Sequence, residues 1–327
     1  MSKTALEVDV VVIGTATRDI FLIADEFESV ETGHHPALIL PAETKLDIPN
    51  ISSDIGGGAP NAATTFARVG LRAACLAKIG VDAFGREVEA MLQEEGVHSL
   101  LVEDKSHQTG ITVVLKGPNG EDTALIHRGA GYEYEAKDLQ VKNLQAKWAY
   151  VASLGGDLRM LQRIMTWASK AGVRVAINPG SLELEKTRRL IPLLRQADVV
   201  LLNESEATKL TGEESPLKAL AAARAAGMHT VVITQSGCGS YVLDGNYVYQ
   251  SGLYKKVTVV DRTGAGYAYG AGLIAAIIRG KAIPDAMSFA AANATSVIGY
   301  LGSRVGILTN MEVDIIPVDI SVFHNEE

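Results

Sequence analysis

Apolar positions along the chain come in two textures. In the first, short β-branched runs alternate with stretches whose apolar residues recur every three or four positions. Val8–Ile13, Trp148–Val151, Val173–Ile177, Val199–Leu202 and Thr230–Thr234 are almost unbroken apolar runs. Runs of that kind are buried on both faces, as the strands of a parallel sheet are. Leu158, Leu161, Ile164, Met165 and Ala168 mark one face of a helix. Pro216–Ala226 reads as another helix, with Gly227 just past its end. A helix from Leu182 is expected to break or kink near Pro192, which lacks an amide donor. Tyr241 to Tyr249 reads as a hairpin about Asp244-Gly245. Val257–Val260 reads as a strand, followed by a glycine turn and a helix to about Arg279. A last helix runs from Pro284 to about Gly299. This alternation predicts a parallel sheet with helices on both faces.

The second texture is strand-like without helices. Phe21–Ile23, Ala37–Leu40 and Lys45–Ile48 are short runs separated by Gly33, Pro36, Pro41 and Pro49. Thr109–Leu115 and Thr123–His127 form a second batch, with Gly117-Pro118-Asn119-Gly120 as the turn between them. We expect the two batches, about 21–55 and 109–127, to pair as one small sheet inserted in a single domain, 1–327. Between them, Gly56-Gly57-Gly58 lead into an alanine-rich helix through Arg68.

Composition sets limits. A chain of 327 residues can bury one large core with a small attachment. The net charge of -8 and isoelectric point near 5.5 argue against nucleic acid or an anionic membrane as partner. Cys75 and Cys238 form no CxxC and no metal-ligand spacing, so reduced thiols in a cytoplasmic protein are expected. No leader opens the sequence, and the run Val8–Ile13 is too short to span a membrane.

Polar residues collect where the strands end, the edge at which open α/β sheets hold ligands. Asp19 follows the first strand. A carboxylate there accepts two hydroxyl hydrogen bonds from a sugar, although Asp is equally a loop or cap residue. The glycine triplet lets a ligand approach the backbone, and Asn61 offers both a donor and an acceptor. A flexible loop has the same composition. Asn203 and Glu206 stand one helical turn apart. That spacing suits magnesium held through water, and it suits a helix cap with an acidic first turn just as well. Gly264-Ala265-Gly266 opens a helix, so bare N–H groups and the positive dipole end meet at one point. Such a point binds a phosphate or a developing oxyanion, and a ligand-free tight turn has the same local sequence. Two other motifs fail. Gly80–Gly85 approaches a P-loop, but Arg86-Glu87 replace the required Lys-[Ser/Thr]. The first strand and Gly14 lack the G-x-G-x-x-G dinucleotide spacing.

The string Asp261-Arg262-Thr263-Gly264-Ala265-Gly266-Tyr267-Ala268-Tyr269-Gly270-Ala271-Gly272 resembles the second signature of the ribokinase (PfkB) family of carbohydrate kinases, D-[TR]-T-G-A-G-D-A-[FY]-x-A-G. It departs at one position, where Tyr267 replaces the family's catalytic aspartate. Gly56 to Ala63 resembles the first signature, G-G-x-x-x-N-x-A. Asn203 and Glu206 resemble the N-x-x-E motif, and Thr234 to Gly239 the T-x-G-x-x-G nucleotide loop, with Ser236 in place of its first glycine. Asn293 falls where members line the adenine pocket, though a buried helical Asn satisfied by backbone reads the same way. Asp261, Thr263 and Ser303–Gly306 fall where some members close a monovalent-cation loop.

The resemblance covers nearly the whole chain. It implies a ribokinase-like three-layer α/β/α sandwich with a mainly parallel sheet and a small β lid. It implies ATP and Mg2+ as cofactors and transfer of a phosphoryl group to a hydroxyl of a sugar or nucleoside. Asp19, Gly57 and Asn61 would hold the acceptor. Asn203, Thr234, Ser236, Gly239 and Asn293 would hold the nucleotide, and Asn203 with Glu206 the magnesium. Gly264, Ala265 and Gly266 would stabilise the transferring group. Independently of the resemblance, the outer face of the small sheet is expected to be apolar and to seek a partner, which predicts a homodimer through the lid.

Tyr267 disturbs this picture. A phenol has a pKa of about 10, so roughly one part in a thousand is ionised at pH 7. A helix N-terminus contributes ~0.3–1 kcal/mol, less than one pKa unit, and cannot close that gap. Three readings follow: a sugar or nucleoside kinase impaired at its base, a non-catalytic sugar- or nucleotide-binding protein on the same fold, or a Rossmann-type dehydrogenase lacking its glycine fingerprint.

Overall fold

The structure, a computed structural model, describes residues 5–24, 27–32, 35–117 and 122–323. Seven parallel strands run to one edge of a ten-stranded sheet, in the order Thr230–Gln235, Val199–Asn203, Arg174–Ile177, Leu144–Val151, Leu6–Ile13, Ala73–Leu76 and His98–Ser99. Gly239–Asp244, Tyr247–Ser251 and Val318–Val322 continue it as antiparallel strands. Successive residues of a strand point to opposite faces. Val10 and Val12 therefore join one apolar cluster and Val11 and Ile13 the other.

Helices cover both clusters, giving three layers. Gly58–Arg68, Ala83–Glu94, Ala265–Ile278 and Ile283–Val297 pack on one face. Leu158–Ala171, Thr187–Leu194, Glu204–Thr211 and Pro216–Ala225 pack on the other. The stripe Leu158, Leu161, Ile164, Met165 and Ala168 is buried, as its spacing predicts. Both cysteines are free thiols, Cys75 in the core and Cys238 at the surface.

A separate four-stranded sheet has the order Asp122–His127, Gly110–Lys116, Thr17–Ile23, Asn50–Gly56. It joins the second batch to Phe21–Ile23 of the first, with Asn50–Gly56 as a strand the apolar pattern did not mark. The strand expected to begin at Phe21 begins at Thr17, so Asp19 lies within a strand and not in a loop after one. Ala37–Leu40 does not join this sheet. His35–Ile39 pairs instead with Glu28–Thr32 as a two-stranded ribbon. Lys45–Ile48 is not a strand, and Leu46 and Ile48 pack against a small cluster of Ala24, Phe27 and Leu115. The expected turn at 117–120 lies mostly outside the described residues, as does Gly33. Its flanking strands do pair, Lys116 opposite Asp122.

Two further expectations are corrected. Val257–Val260 forms no strand; Val257, Val259 and Val260 are 43%, 42% and 50% exposed. The sheet edge it would have joined, beside Tyr247–Ser251, is taken by Val318–Val322. Pro192 does not break its helix but sits within Thr187–Leu194. The break comes earlier, at Glu185–Lys186, where Lys186 leaves helical dihedrals (φ -114, ψ 37).

Ile164 is fully buried in the middle of its helix's apolar stripe. Ile164→Ala should lower the unfolding free energy by about 2–5 kcal/mol in urea denaturation. A loss below about 1 kcal/mol would mean that this face is not packed as described.

Candidate active site

Two glycine turns meet where the parallel strands end. Gly57 has a positive φ of 90 and caps the start of helix Gly58–Arg68; a Cβ there would strike the Thr15 carbonyl. Gly264 has a φ of 82 and caps the start of Ala265–Ile278; a Cβ there would strike Ser303. Both backbones require glycine for these reasons. The Ala265 N–H donates to the Arg262 carbonyl at 3.3 Å, which closes the second turn. The amides that follow belong to a helix's first turn and have no intrahelical acceptor. The two turns face each other through Tyr267, whose ring lies against Gly58.

Asp19 reaches the first turn from the small sheet. It stands opposite Asp54 on one neighbour strand and Thr112 on the other. Its carboxylate lies over Gly56, where any Cβ would collide with it, and accepts from the Thr17 hydroxyl at 2.8 Å. Burial raises the Asp19 pKa; hydrogen bonds from Thr17 and Thr112 oppose this, and nearby Asp54 and Asp261 add to it. Asn61, buried in the helix after Gly57, accepts from the Ser303 hydroxyl at 3.0 Å. Thus Asp19, Gly57 and Asn61 converge on one side of the second turn.

Asp261 organises that turn. Its carboxylate is buried and accepts from the Thr263 N–H (3.0 Å), the Thr263 hydroxyl (2.7 Å), the Gly302 N–H (2.9 Å) and the Lys116 ammonium (3.0 Å). Burial opposes its ionisation, but these donors outweigh it and hold the carboxyl below the usual aspartate range. Successive residues of the 302–304 loop then tie down three segments: Gly302 to Asp261, Ser303 to Asn61, and Arg304 to Asp54.

On the other side of the turn lies a cavity of about 510 Å³. Asn203, Thr234, Ser236, Gly239, Ala265 and Gly266 all line it. Arg262, not singled out from the sequence as a site residue, lines it too and donates to the Ser236 hydroxyl at 2.9 Å. Asn293 does not line it. Its amide donates to the Ala268 carbonyl and accepts from the Leu308 N–H, both at 2.9 Å, in a fully buried position. Ala291, Ala294, Thr295 and Ile298 of the same segment face the cavity instead. The helical period groups these residues on one face, but the sequence does not say which face meets the cavity.

A smaller cavity of about 190 Å³ is lined by Asn178, Asn203, Glu206, Thr234, Gly264, Gly266 and Tyr267. Asn178 directly follows the strand Arg174–Ile177. Asn203 and Glu206 form a reciprocal cap: each side chain accepts the other's N–H at 2.8 Å. Burial raises the Glu206 pKa, the Asn203 N–H opposes this, and Glu183 adds to it. The Tyr267 phenol is pushed well above its ordinary value by burial and then by Glu206 and Glu183, against a backbone hydrogen bond from Ser153. It is therefore neutral at any working pH. Among the described residues no three His, Cys, Asp or Glu side chains are grouped to hold a metal.

The arrangement sets a helix-opening glycine turn between a group of buried polar side chains under the small sheet and an open cavity. The pattern of the pfkB family carbohydrate kinases matches residues 8–310, and the chain belongs to that family of kinases. A ribokinase of Haemophilus influenzae is 27% identical over 289 residues, covering 85% of this chain and 91% of its own. A nucleoside kinase of Methanothermobacter thermautotrophicus is 24% identical over 304 residues, covering 91% and 92%. The fold superposes on Arabidopsis thaliana ribokinase complexed with ribose and ATP, with a TM-score of 0.78 at 23% identity, covering 94% of this chain and 97% of that one. The ribokinase-like three-layer fold is thereby established, and no helix among the described residues is long and apolar enough to cross a membrane.

The raised Asp19 pKa makes a stability prediction. Between the unfolded value of about 3.9 and the higher folded value, the folded chain keeps a proton that the unfolded chain has lost. Stability from this group is complete below the unfolded value and falls as pH rises through the folded one. Asp19→Asn removes that loss. The variant should match the native melting temperature at about pH 4 and exceed it at pH 7. An equal difference at both pH values would contradict the burial argument.

Proposed function

We propose that this chain binds ATP with Mg2+ in the larger cavity and a sugar or nucleoside under the small sheet, and transfers the γ-phosphoryl group slowly because Tyr267 stands at the base position. The observation that carries this reading is the turn Gly264–Tyr267. It opens a helix and lies between the two binding spaces, with Gly266 bordering the larger cavity and Tyr267 against the glycine loop. Phosphoryl transfer asks mainly for positioning and charge stabilisation, which amides at a helix start supply.

In this account the acceptor hydroxyl attacks the γ-phosphorus, the bond to the ADP oxygen breaks, and the hydroxyl proton must leave. Asp19 and Asn61 orient the acceptor, and the amides following Gly264 meet the charge spreading over the phosphoryl oxygens. Asn203, Thr234, Ser236 and Gly239 border the nucleotide. Glu206 suits magnesium bound mostly through water and phosphates, since Mg2+ commonly takes only one or two carboxylates. Asn293 acts in this account by holding the helix that carries the turn. A neutral Tyr267 leaves the proton without an ionised acceptor. The non-catalytic binding reading predicts the same contacts with no turnover. A lid-mediated homodimer belongs to the proposal, supported by exposed Ile51 and Leu125 on one face of the small sheet. So does a cytoplasmic setting, supported by the free thiols.

A positioned general base contributes about 10²–10⁴-fold. Tyr267→Asp should therefore raise turnover by about that factor on the right acceptor, screened across sugars and nucleosides, with ATP affinity little changed. Tyr267→Phe should behave like the native chain. If aspartate restores nothing on a broad panel, the binding reading replaces the kinase reading for this chain. For the dimer, a monomer mass by light scattering at micromolar concentration would count against the lid contact.

A further inference from the structure

Lys116 is the last residue of the lid strand Gly110–Lys116, and its side chain is largely buried. Its ammonium lies 2.9 and 3.1 Å from the two oxygens of Asp122, directly across the ladder, so that pair is internal to the lid. The same ammonium lies 3.0 Å from Asp261 Oδ1, 145 residues further along the chain. Asp261 in turn fixes the amides of Thr263 and Gly302. One charged group thus grips the lid with one set of donors and the anion-binding turn with another.

Electrostatics makes the link matter. A buried carboxylate is costly unless paired and hydrogen-bonded. Where the family resemblance gave Asp261 and Thr263 a monovalent cation from solution, this chain puts a cation of its own on Asp261 Oδ1. The residues present therefore do not suit a second cation at that oxygen. A tethered ammonium needs no ion in solution, and it arrives only when the lid strand is in place.

We propose that Lys116 is the resident cation of the anion-binding turn and the positioning residue that couples lid to turn. With the lid seated, the ammonium orders Asp261 and, through it, the backbone of residues 261–264 and Gly302. With the lid displaced, Asp261 loses its partner and the turn loosens. Such coupling assembles the phosphoryl site only beneath a closed lid, where water is excluded. The consequence for turnover rests on the proposed kinase function; the coupling itself is a property of the chain and is tested without substrate.

Amide hydrogen exchange on the full chain reads it directly, in buffers whose only cation is tetramethylammonium, potassium or ammonium. The native chain should show the same protection at Thr263 and Gly302 in all three. Lys116→Met should raise exchange at both amides on the order of tenfold in tetramethylammonium. Ammonium or potassium should restore protection at these two amides but not in the lid strands. Asp122→Asn should loosen the lid strands and leave the two amides protected. Two results would overturn the proposal: extra protection of Thr263 and Gly302 by potassium in the native chain, or a Lys116→Met chain loosened in the lid alone. The first arm needs no variant, so it decides the matter even if Lys116→Met does not fold.

Discussion

A buried carboxylate, that of Asp261, holds this site together. At 1% exposure it cannot stay ionised without donors, and its donors come from parts of the chain that share no local sequence: Thr263, Gly302 and Lys116. Meeting that one electrostatic demand draws the turn after Asp261, the 302–304 loop and the lid strand to a single point. Ser303 and Arg304 then extend the grip to Asn61 and Asp54. The polar side chains under the small sheet and the larger cavity are therefore set against each other by one charge and its neighbours. The fold supplies the rest, since parallel strands end together and the helices that follow them start together.

Much of this was legible from residue order. Strands buried on both faces announce themselves as apolar runs, so five of the seven parallel strands were readable, while the short Ala73–Leu76 and His98–Ser99 were not. Glycines with a steric reason, Gly57 and Gly264, were readable because nothing else fits such turns. The failures have physical causes. Val257–Val260 has the composition of a strand, but strand formation depends on a free sheet edge, and Val318–Val322 takes that edge. Asp19 looked like a loop residue because its strand belongs to the second sheet rather than to the first. Asn293 shows its type but not the direction it faces, and its amide is spent inside the core. Lys116 gave no signal at all, because its role arises from a contact across 145 residues.

Tyr267 is where the local rules and the site disagree. The strand ends, both glycine turns and the helix start are all suited to holding a phosphoryl group between two ligands. Yet the side chain at the meeting point is a neutral phenol whose ionisation is further opposed by burial, Glu206 and Glu183. The ring packs on Gly58. The account therefore separates binding, which the geometry supports, from proton removal, which it does not.

The pH dependence of the native chain's own turnover tests that separation most directly. Without an ionised base, the acceptor proton must go to hydroxide or another solution base. The account predicts a rate that climbs steadily from about pH 6 to about pH 9 without levelling. A profile that rises to a plateau with an apparent pKa below about 7 would reveal a working carboxylate or imidazole base and contradict the account.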